Sequence, residues 1–230
     1  MKLDTFIAGE TIDLRIPTRG FAETSDWYSW FNDPGISRYM YHGVFPNDVA
    51  SQVDFFESQK RSRLLLIISN KKEHPVGVIS LSEINLTTRS ASVALVVNSK
   101  KDAKNSPMIA LEAIARITEH GFTKIGLNRI TAGQHEKLGG WQQRMELLGF
   151  RLEGIMRNNF VKGHETADTV SIAADYDDYL RIIGIRGKYW DSSEKMMDRI
   201  NRLPDEKFVT KMKKFLATDG ENYYKKLFGL

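Results

Sequence analysis

Three lysines lie in a short polar stretch directly before a predicted helix, where together they could hold a phosphate group. Lys100, Lys101 and Lys104 belong to residues 98–106, and Pro107 opens the helix. Proline suits the first helical turn because its missing N–H would have no partner there. The free amides of that turn attract anions, and the lysines add positive charge. The pattern predicts an anion site; the plainer interpretation is a solubilising loop.

Histidine and glutamate side chains supply candidates for proton transfer. Glu83 follows the apolar run 76–81, and His135 and Glu136 are adjacent. His42 lies among Tyr39, Tyr41 and Phe45, which could form a wall of the substrate site. Each also has an ordinary interpretation as a surface or loop residue. The five histidines show no metal-ligand spacing with carboxylates, so no catalytic metal is predicted.

Apolar runs separated by turn residues predict the elements that position these groups. Residues 64–68 and 76–81 read as a hairpin, and residues 90–97 as a further buried strand. The helix at 107–120 and the strand at 127–132 complete a strand–helix–strand unit, which makes a right-handed crossover with parallel strands. Further strands are predicted at 11–16, 150–156 and 166–174, with short helices beginning near Trp27, Pro46 and Trp141. A loop is predicted at 134–140. The fold class is therefore mixed α/β (α+β), a mostly antiparallel twisted sheet with one parallel crossover.

Composition divides the chain into two parts. We predict a main domain over 1–178 and a helical basic extension over 179–230. Residues 181–230 hold 12 Lys/Arg against 7 Asp/Glu, so most of the positive charge lies there. The absence of cysteine excludes disulfides and a thiol nucleophile. No apolar run reaches the roughly 18 residues of a membrane span, and we expect a cytoplasmic protein.

Several short motifs, in this order, resemble the GCN5-related N-acetyltransferase (GNAT) superfamily over about residues 10–178. The motifs are Leu14-Arg15, Trp30-Phe-Asn-Asp-Pro34, Val76-Gly-Val-Ile-Ser-Leu81, Ala110-Leu-Glu-Ala113, Leu127-Asn-Arg-Ile130 and Glu146-Leu-Leu-Gly-Phe150. They are most similar to the branch that contains ribosomal-protein and aminosugar N-acetyltransferases.

The resemblance implies an acyl-CoA N-acyltransferase (GNAT) fold, with acetyl-CoA as the acyl donor and direct attack by a primary amine. Glu83, His135 and Glu136 are then the expected catalytic residues. Trp30, Tyr41 and His42 are expected to contact the acceptor. The expected cofactor-binding residues are Val96, Val97, Asn98, Lys104, Asn105, Ser106, Met108, Ile109 and Ala110. The acceptor is expected to be a small metabolite, a sugar nucleotide or a protein N-terminus.

Two places differ from the family pattern. Ser106 and Met108 stand where the phosphate loop has glycines, and Leu138 and Trp141 replace a family Asn-x-x-Ser. A second hypothesis is therefore a GNAT-fold binding module without catalysis. Its basic tail would bind a protein or nucleic acid through Tyr189, Trp190, Tyr223 and Tyr224. A homodimer is also compatible with the sequence.

Overall fold

A computed structural model describes residues 2–98, 100 and 106–230 of the chain. Lys101, Lys104 and Asn105, named above as anion or cofactor contacts, lie outside the described residues. The strands are β1 (Thr5–Ala8), β2 (Ile12–Arg15), β3 (Leu64–Asn70), β4 (Pro75–Asn85), β5 (Ser90–Val97), β6 (Arg129–His135), β7 (Arg151–Lys162) and β8 (Glu165–Asp175). The helices are α1 (Arg19–Thr24), α2 (Trp27–Trp30), α3 (Pro34–Ser37), α4 (Val49–Gln59), α5 (Ser106–His120), α6 (Gly139–Glu146), α7 (Tyr176–Arg186), α8 (Ser193–Asn201), α9 (Phe208–Phe215) and α10 (Glu221–Phe228).

In the described part of the chain the strands form one eight-stranded sheet, in the order β1-β2-β3-β4-β5-β6-β8-β7. Neighbouring strands are antiparallel except β5 and β6, which pair in parallel. The predicted fold class and the single crossover through α5 are thus confirmed. The sequence did not predict β1, and β6 extends through His135 into the segment predicted as a loop.

Helix α5 fills the larger of two hydrophobic cores. Successive turns of α5 bury Leu111, Ile114 and Ile117 against the sheet, because apolar residues three or four apart lie on one helical face. Glu112 is also fully buried on this helix, and it accepts hydrogen bonds from Thr11 N at 2.9 Å and Thr11 Oγ1 at 2.5 Å. Arg116 Nη2 lies 3.1 Å from the same carboxylate. These bonds attach α5 to the β1–β2 turn.

The smaller core lies on the opposite face of the sheet, beneath α1, α2 and α4. Phe21, Trp27 and Trp30 pack there with Phe56 and Ile67. Asp48 starts α4 by accepting a hydrogen bond from Ser51 N at 2.8 Å, which satisfies one of the free amides of the first turn. The aromatic N-terminal segment therefore closes the second face of the sheet.

Helices α7, α8 and α9 pack on the larger core, whereas α10 buries no residue. Tyr189, Trp190, Met196 and Val209 are buried in it. Tyr189 donates a hydrogen bond from its hydroxyl to Leu148 O at 2.6 Å. The helical nature of this part is as predicted, whereas the boundary predicted at 178 falls inside α7. The division into 1–178 and 179–230 stays a prediction. None of the described helices is both long and apolar enough to cross a membrane.

Candidate active site between the diverging strands

The parallel pair β5 and β6 opens into a cavity after only a few residues. Ser90–Ser92 pair with Arg129–Thr131, and beyond this point no further pairs are formed between the two strands. The cavity has a volume of ≈ 680 Å³. Its lining comes from β4, β5, β6, α6 and the segment 39–47, and includes Val78, Ser80, Ala94, Val96, Gly133, Gln134, Leu138 and Trp141. Leu138 and Trp141, which replace the family Asn-x-x-Ser, therefore supply apolar walls.

Main-chain groups of β5 face this opening. Asn98 donates its N–H to Val76 O at 2.8 Å, so its amide is occupied by β4. Backbone groups alternate in direction along a strand, and Val96 therefore also faces β4. The N–H groups of Leu95 and Val97 point the other way, toward the gap left by β6. Of the predicted residues 96–98, Val97 is the one whose amide faces the cavity side.

An aromatic segment, residues 39–47, forms the wall opposite α6. Tyr39, Tyr41, His42 and Phe45 line the cavity. Tyr41 donates its hydroxyl hydrogen to Asn159 O at 3.0 Å, and its ring centroid lies 5.3 Å from that of Phe160. The predicted acceptor contacts Tyr41 and His42 thus lie in the cavity wall.

Lys162 on β7 holds this segment in place. Its Nζ donates to the carbonyls of Ser37, Met40 and His42, at 2.7, 3.1 and 2.7 Å. Asn32 and Asn47 close the other end with paired amide hydrogen bonds of 2.6 and 2.7 Å. Charge-assisted bonds are among the stronger hydrogen bonds in proteins, so the lysine ties the wall to the sheet.

His42, predicted as an acceptor contact, lines the cavity. Desolvation by the surrounding residues lowers the pKa of its imidazole, and the positive charges of Lys162 and Arg63 lower it further. Its ring centroid lies 5.0 Å from that of Phe31. The imidazole is therefore neutral at pH 7, the form that can accept a proton.

His135, a predicted catalytic residue, lies behind the cavity wall rather than in it. The residue is only 2% exposed, and its Nδ1 accepts a hydrogen bond from Lys137 N at 3.1 Å. Its ring packs between Tyr39 and Phe160, at centroid distances of 4.6 and 4.7 Å. Burial lowers the pKa of the imidazole. His135 therefore packs against the ring of the cavity-wall residue Tyr39.

The two predicted catalytic glutamates lie outside the cavity. Glu83 is exposed near the end of β4, beside the closed, paired start of β5, with φ of 53°. Because β4 and β5 are antiparallel, the carboxyl end of β4 is the end remote from the opening. Glu136 forms an ion pair with Lys213 of α9. Neither glutamate lines the cavity, since position after a strand did not show which end of the sheet opens. Their catalytic roles stay predictions.

Trp30 also differs from its predicted role as an acceptor contact. It is 1% exposed and belongs to the smaller core, while Trp27 on the same helix reaches the cavity. On a four-residue helix, residues three apart share a face, and the sequence does not show which of the two rings lies nearer the opening.

The predicted cofactor segment lies at the start of α5. Met108, Ile109 and Ala110 are buried, and the first two belong to the larger core. None of the three lines the cavity, and the amides of the first turn have no partner within the helix. Their role in binding the cofactor stays a prediction. Lys100 forms an ion pair with Asp33 at 2.5 Å, and this lysine lowers the pKa of the Asp33 carboxyl.

Two cavity residues were missed by the reasoning from sequence. Arg63 and Ser80 line the cavity, with Arg63 Nη1 3.5 Å from Ser80 Oγ. Arg63 stands directly before the buried run 64–68, and Ser80 interrupts the apolar run 76–81. The sequence signal for these two residues was a charged side chain at the start of one apolar strand and a polar side chain within another. Among the described residues, no group of three or more His, Asp or Glu is placed to hold a metal ion.

Residues 14–151 match the family model described as the acetyltransferase (GNAT) domain. The match spans more than half of the chain, so the chain belongs to the GNAT acetyltransferase family and is an N-acetyltransferase of the GNAT type. No curated protein sequence matches it.

Solved structures share the fold. The spermidine N-acetyltransferase from Vibrio cholerae, in complex with CoA and spermine, has a TM-score of 0.67 and 18% identity, covering 75% of this chain and 99% of its own. The Microcin C7 self immunity acetyltransferase MccE, in complex with acetyl-CoA and AMP, has a TM-score of 0.60 and 21% identity, covering 73% and 93%. A GNAT-family acetyltransferase from Bacillus anthracis has a TM-score of 0.61 and 20% identity, covering 77% and 99%. At these identities the likeness shows the fold.

Proposed function

We propose that the protein transfers an acetyl group from acetyl-CoA to the primary amine of a small metabolite or sugar nucleotide. The observation that carries the proposal is the cavity at the divergence of β5 and β6, which α5 lines through Ile114. A cavity of ≈ 680 Å³ lined by aromatic residues suits a small acceptor better than a folded protein surface. A protein N-terminus is the other acceptor considered.

The residues present fit an acyl-CoA donor through main-chain groups. The amides of Leu95 and Val97 face the cavity side of β5, where they can donate to a thioester carbonyl. The first-turn amides of α5 can receive a pyrophosphate. Met108 replaces a family glycine but packs into the core, so its side chain does not cover the outer side of the helix start.

His42 is the proposed proton acceptor. Bound acetyl-CoA supplies an activated acyl group to a neutral amine. The amine nitrogen forms the new C–N bond, the C–S bond breaks, and the amine proton passes by way of His42 to the departing sulfur. Much of the remaining rate would come from holding the two groups together.

A thiol-release assay with acetyl-CoA and a panel of primary amines tests the proposal, together with calorimetric titration of acetyl-CoA. We expect binding of acetyl-CoA and amine-dependent release of CoA. No heat of binding at millimolar acetyl-CoA, together with no thiol release, would refute it.

The role of His42 is tested by the pH profile. The acceptor amine must be neutral to attack, so kcat/KM falls as the amine itself is protonated. The lowered pKa of His42 should add a second fall in kcat/KM, the acidic limb, only as the pH drops through that pKa. His42→Gln should lower kcat about 100-fold, the typical contribution of a general base, and remove this acidic limb. His164→Gln, in the exposed β7–β8 turn, is the matched control and should leave both unchanged. A variant that keeps the acidic limb would remove His42 from the mechanism.

Burial reduces the number of tail residues that could contact the predicted protein or nucleic-acid partner. Tyr189 and Trp190 are in the core and are not available to a partner, whereas Tyr223 and Tyr224 are 62% and 51% exposed. A partner at α10 and a homodimer stay predictions.

A further inference from the structure

We infer that Arg63 selects an acceptor amine that carries an anionic group, a carboxylate or a phosphate, on an aromatic or apolar body. The inference rests on the proposed function and adds the class of acceptor to it. It is carried by the charges of the cavity and by the surroundings of one guanidinium group.

The cavity holds positive charge and no carboxylate. Among the described residues that line it, Arg63 is the only Arg or Lys and His42 is the only histidine. Neither Asp nor Glu is present there. A polyamine acceptor would bring its extra ammonium groups next to Arg63 with no carboxylate to receive them. Unpaired charges are costly to remove from water, so this cavity disfavours polycations.

Arg63 is half-buried and lacks a carboxylate partner. Its Nε is shielded from solvent and makes no hydrogen bond to the described residues. No described carboxylate lies within 4.0 Å of the guanidinium, whereas Arg15 and Arg199 each pair with an aspartate. Its neighbours are Ser80 Oγ at 3.5 Å and the ring of Phe55 at 5.8 Å from the guanidinium carbon. A partly desolvated guanidinium with free donors is suited to bind an anion in a two-pronged geometry.

The position of Arg63 also indicates how far the anion lies from the reacting amine. Ser80, beside the guanidinium, pairs with Ala94 on β5. Neighbouring strands are about 5 Å apart, so the guanidinium lies roughly 5–10 Å from the open edge of β5. An acceptor with its amine and its anion separated by a ring fits this spacing. Trp27, Phe55 and Trp141 are aromatic residues of the same cavity lining, and they could contact such a ring.

Matched amine pairs test the inference. In the carboxylate arm, 4-(aminomethyl)benzoate is compared with benzylamine; in the phosphate arm, tyramine O-phosphate is compared with tyramine; spermidine represents polycations. We expect kcat/KM to favour the anionic member of at least one pair by about 10-fold or more, as for a charge-assisted hydrogen bond. The arm that shows the preference identifies the anion. Equal use of charged and uncharged members, or a preference for spermidine, would overturn the inference while leaving the acetyltransferase intact.

Two variants connect the preference to Arg63. Arg63→Met should abolish it, and Arg63→Lys, which keeps the charge but not the planar fork and guards against misfolding of the first variant, should reduce it. Arg61→Met is the matched control, because Arg61 is exposed and outside the cavity lining. Retention of the full preference in Arg63→Met would overturn the inference.

Direct binding separates failure of this inference from failure of the proposed function. Titration of 4-(aminomethyl)benzoate and tyramine O-phosphate is followed by the fluorescence of Trp27 and Trp141, without acetyl-CoA. Binding to the wild type that Arg63→Met loses and Arg61→Met keeps supports the inference even if no amine releases thiol. Absence of binding of both anions to the wild type would overturn it, even if neutral amines are acetylated.

Discussion

Asp191 and Arg199 form a buried ion pair whose removal should destabilise the whole protein. Arg199 donates two hydrogen bonds to the Asp191 carboxylate, at 2.7 and 2.6 Å, and the aspartate side chain is only 7% exposed. The pair lies next to Trp190, which is buried and donates to Glu10 Oε2 at 2.8 Å. Breaking the pair therefore acts where the C-terminal extension is attached to the β1–β2 turn.

The magnitude follows from the pKa of Asp191. The hydrogen bonds from Arg199 lower that pKa from 3.8 to about 2. Each pKa unit corresponds to about 1.4 kcal/mol, so the charged form contributes about 2 kcal/mol to the free energy of unfolding. A carboxylate with a depressed pKa stabilises the folded state above its unfolded pKa. This contribution should be fully present above about pH 4 and lost as the pH falls toward 2.

Asp191→Asn is the test, because it removes the charge and keeps the size of the side chain. Urea unfolding at pH 7 should show a loss of about 2 kcal/mol, or about 4–8 °C in Tm for a chain of this length. The difference in the free energy of unfolding between the variant and the wild type should shrink as the pH falls from 4 to 2.5. Asp198→Asn, which is exposed on α8 next to Arg199, is the matched control and should change stability by less than about 0.5 kcal/mol.

Three results would refute this reasoning. The first is an Asp191→Asn variant as stable as Asp198→Asn. The second is a difference from wild type that stays constant as the pH falls. The third is a separate early transition for α8 and α9, since the buried Tyr189, Met196 and Val209 should make this part unfold together with the sheet.

Two further substitutions should affect stability and the cavity wall, respectively. Glu112→Gln should lower the free energy of unfolding in urea by about 3 kcal/mol, because it leaves Arg116 without its buried counter-charge and presents an amide to the donors of Thr11. An unchanged unfolding midpoint would contradict this. Lys162→Met removes three hydrogen bonds to carbonyls of the cavity wall, so the KM for the acceptor should rise more than kcat falls. The pKa of His42, followed by NMR, should rise because Lys162 lowers it. An unshifted His42 titration in Lys162→Met would contradict the expected rise.

Surface substitutions of the same chemistry serve as controls for this pair. Glu194→Gln on α8 and Lys72→Met in the β3–β4 turn are both exposed. Each should leave the free energy of unfolding within about 0.5 kcal/mol of the wild type. The Lys72 variant should also leave the His42 titration unchanged.

The crossover could be predicted from sequence because its signals are local. The apolar run over β5, the proline at the start of α5 and the apolar period of the helix each depend on residues a few positions apart. Membership of the GNAT family was predicted from motifs of the same kind. Local patterns also indicated the aromatic segment that contains Tyr41 and His42.

The residues of the candidate site were harder to assign because long-range contacts decide them. Lys162 reaches carbonyls about 120 positions earlier in the chain. Glu136 is paired by Lys213, and His135 is covered by Tyr39 and Phe160. No spacing rule within a segment shows that a glutamate will meet a lysine from another helix. Glu83 shows the same limit, since its value as a base depended on which end of β4 faces the opening.

The two halves of the cavity are stabilised by different kinds of contact, and this affects how each can change. In our proposal the donor side binds acetyl-CoA through main-chain amides of β5 and α5, and side-chain substitution alters such amides little. The acceptor side is built from side chains such as Arg63 and from a segment fixed by Lys162. A change of acceptor therefore requires only a few substitutions on that side. Selectivity should follow Arg63, while binding of acetyl-CoA should be insensitive to it.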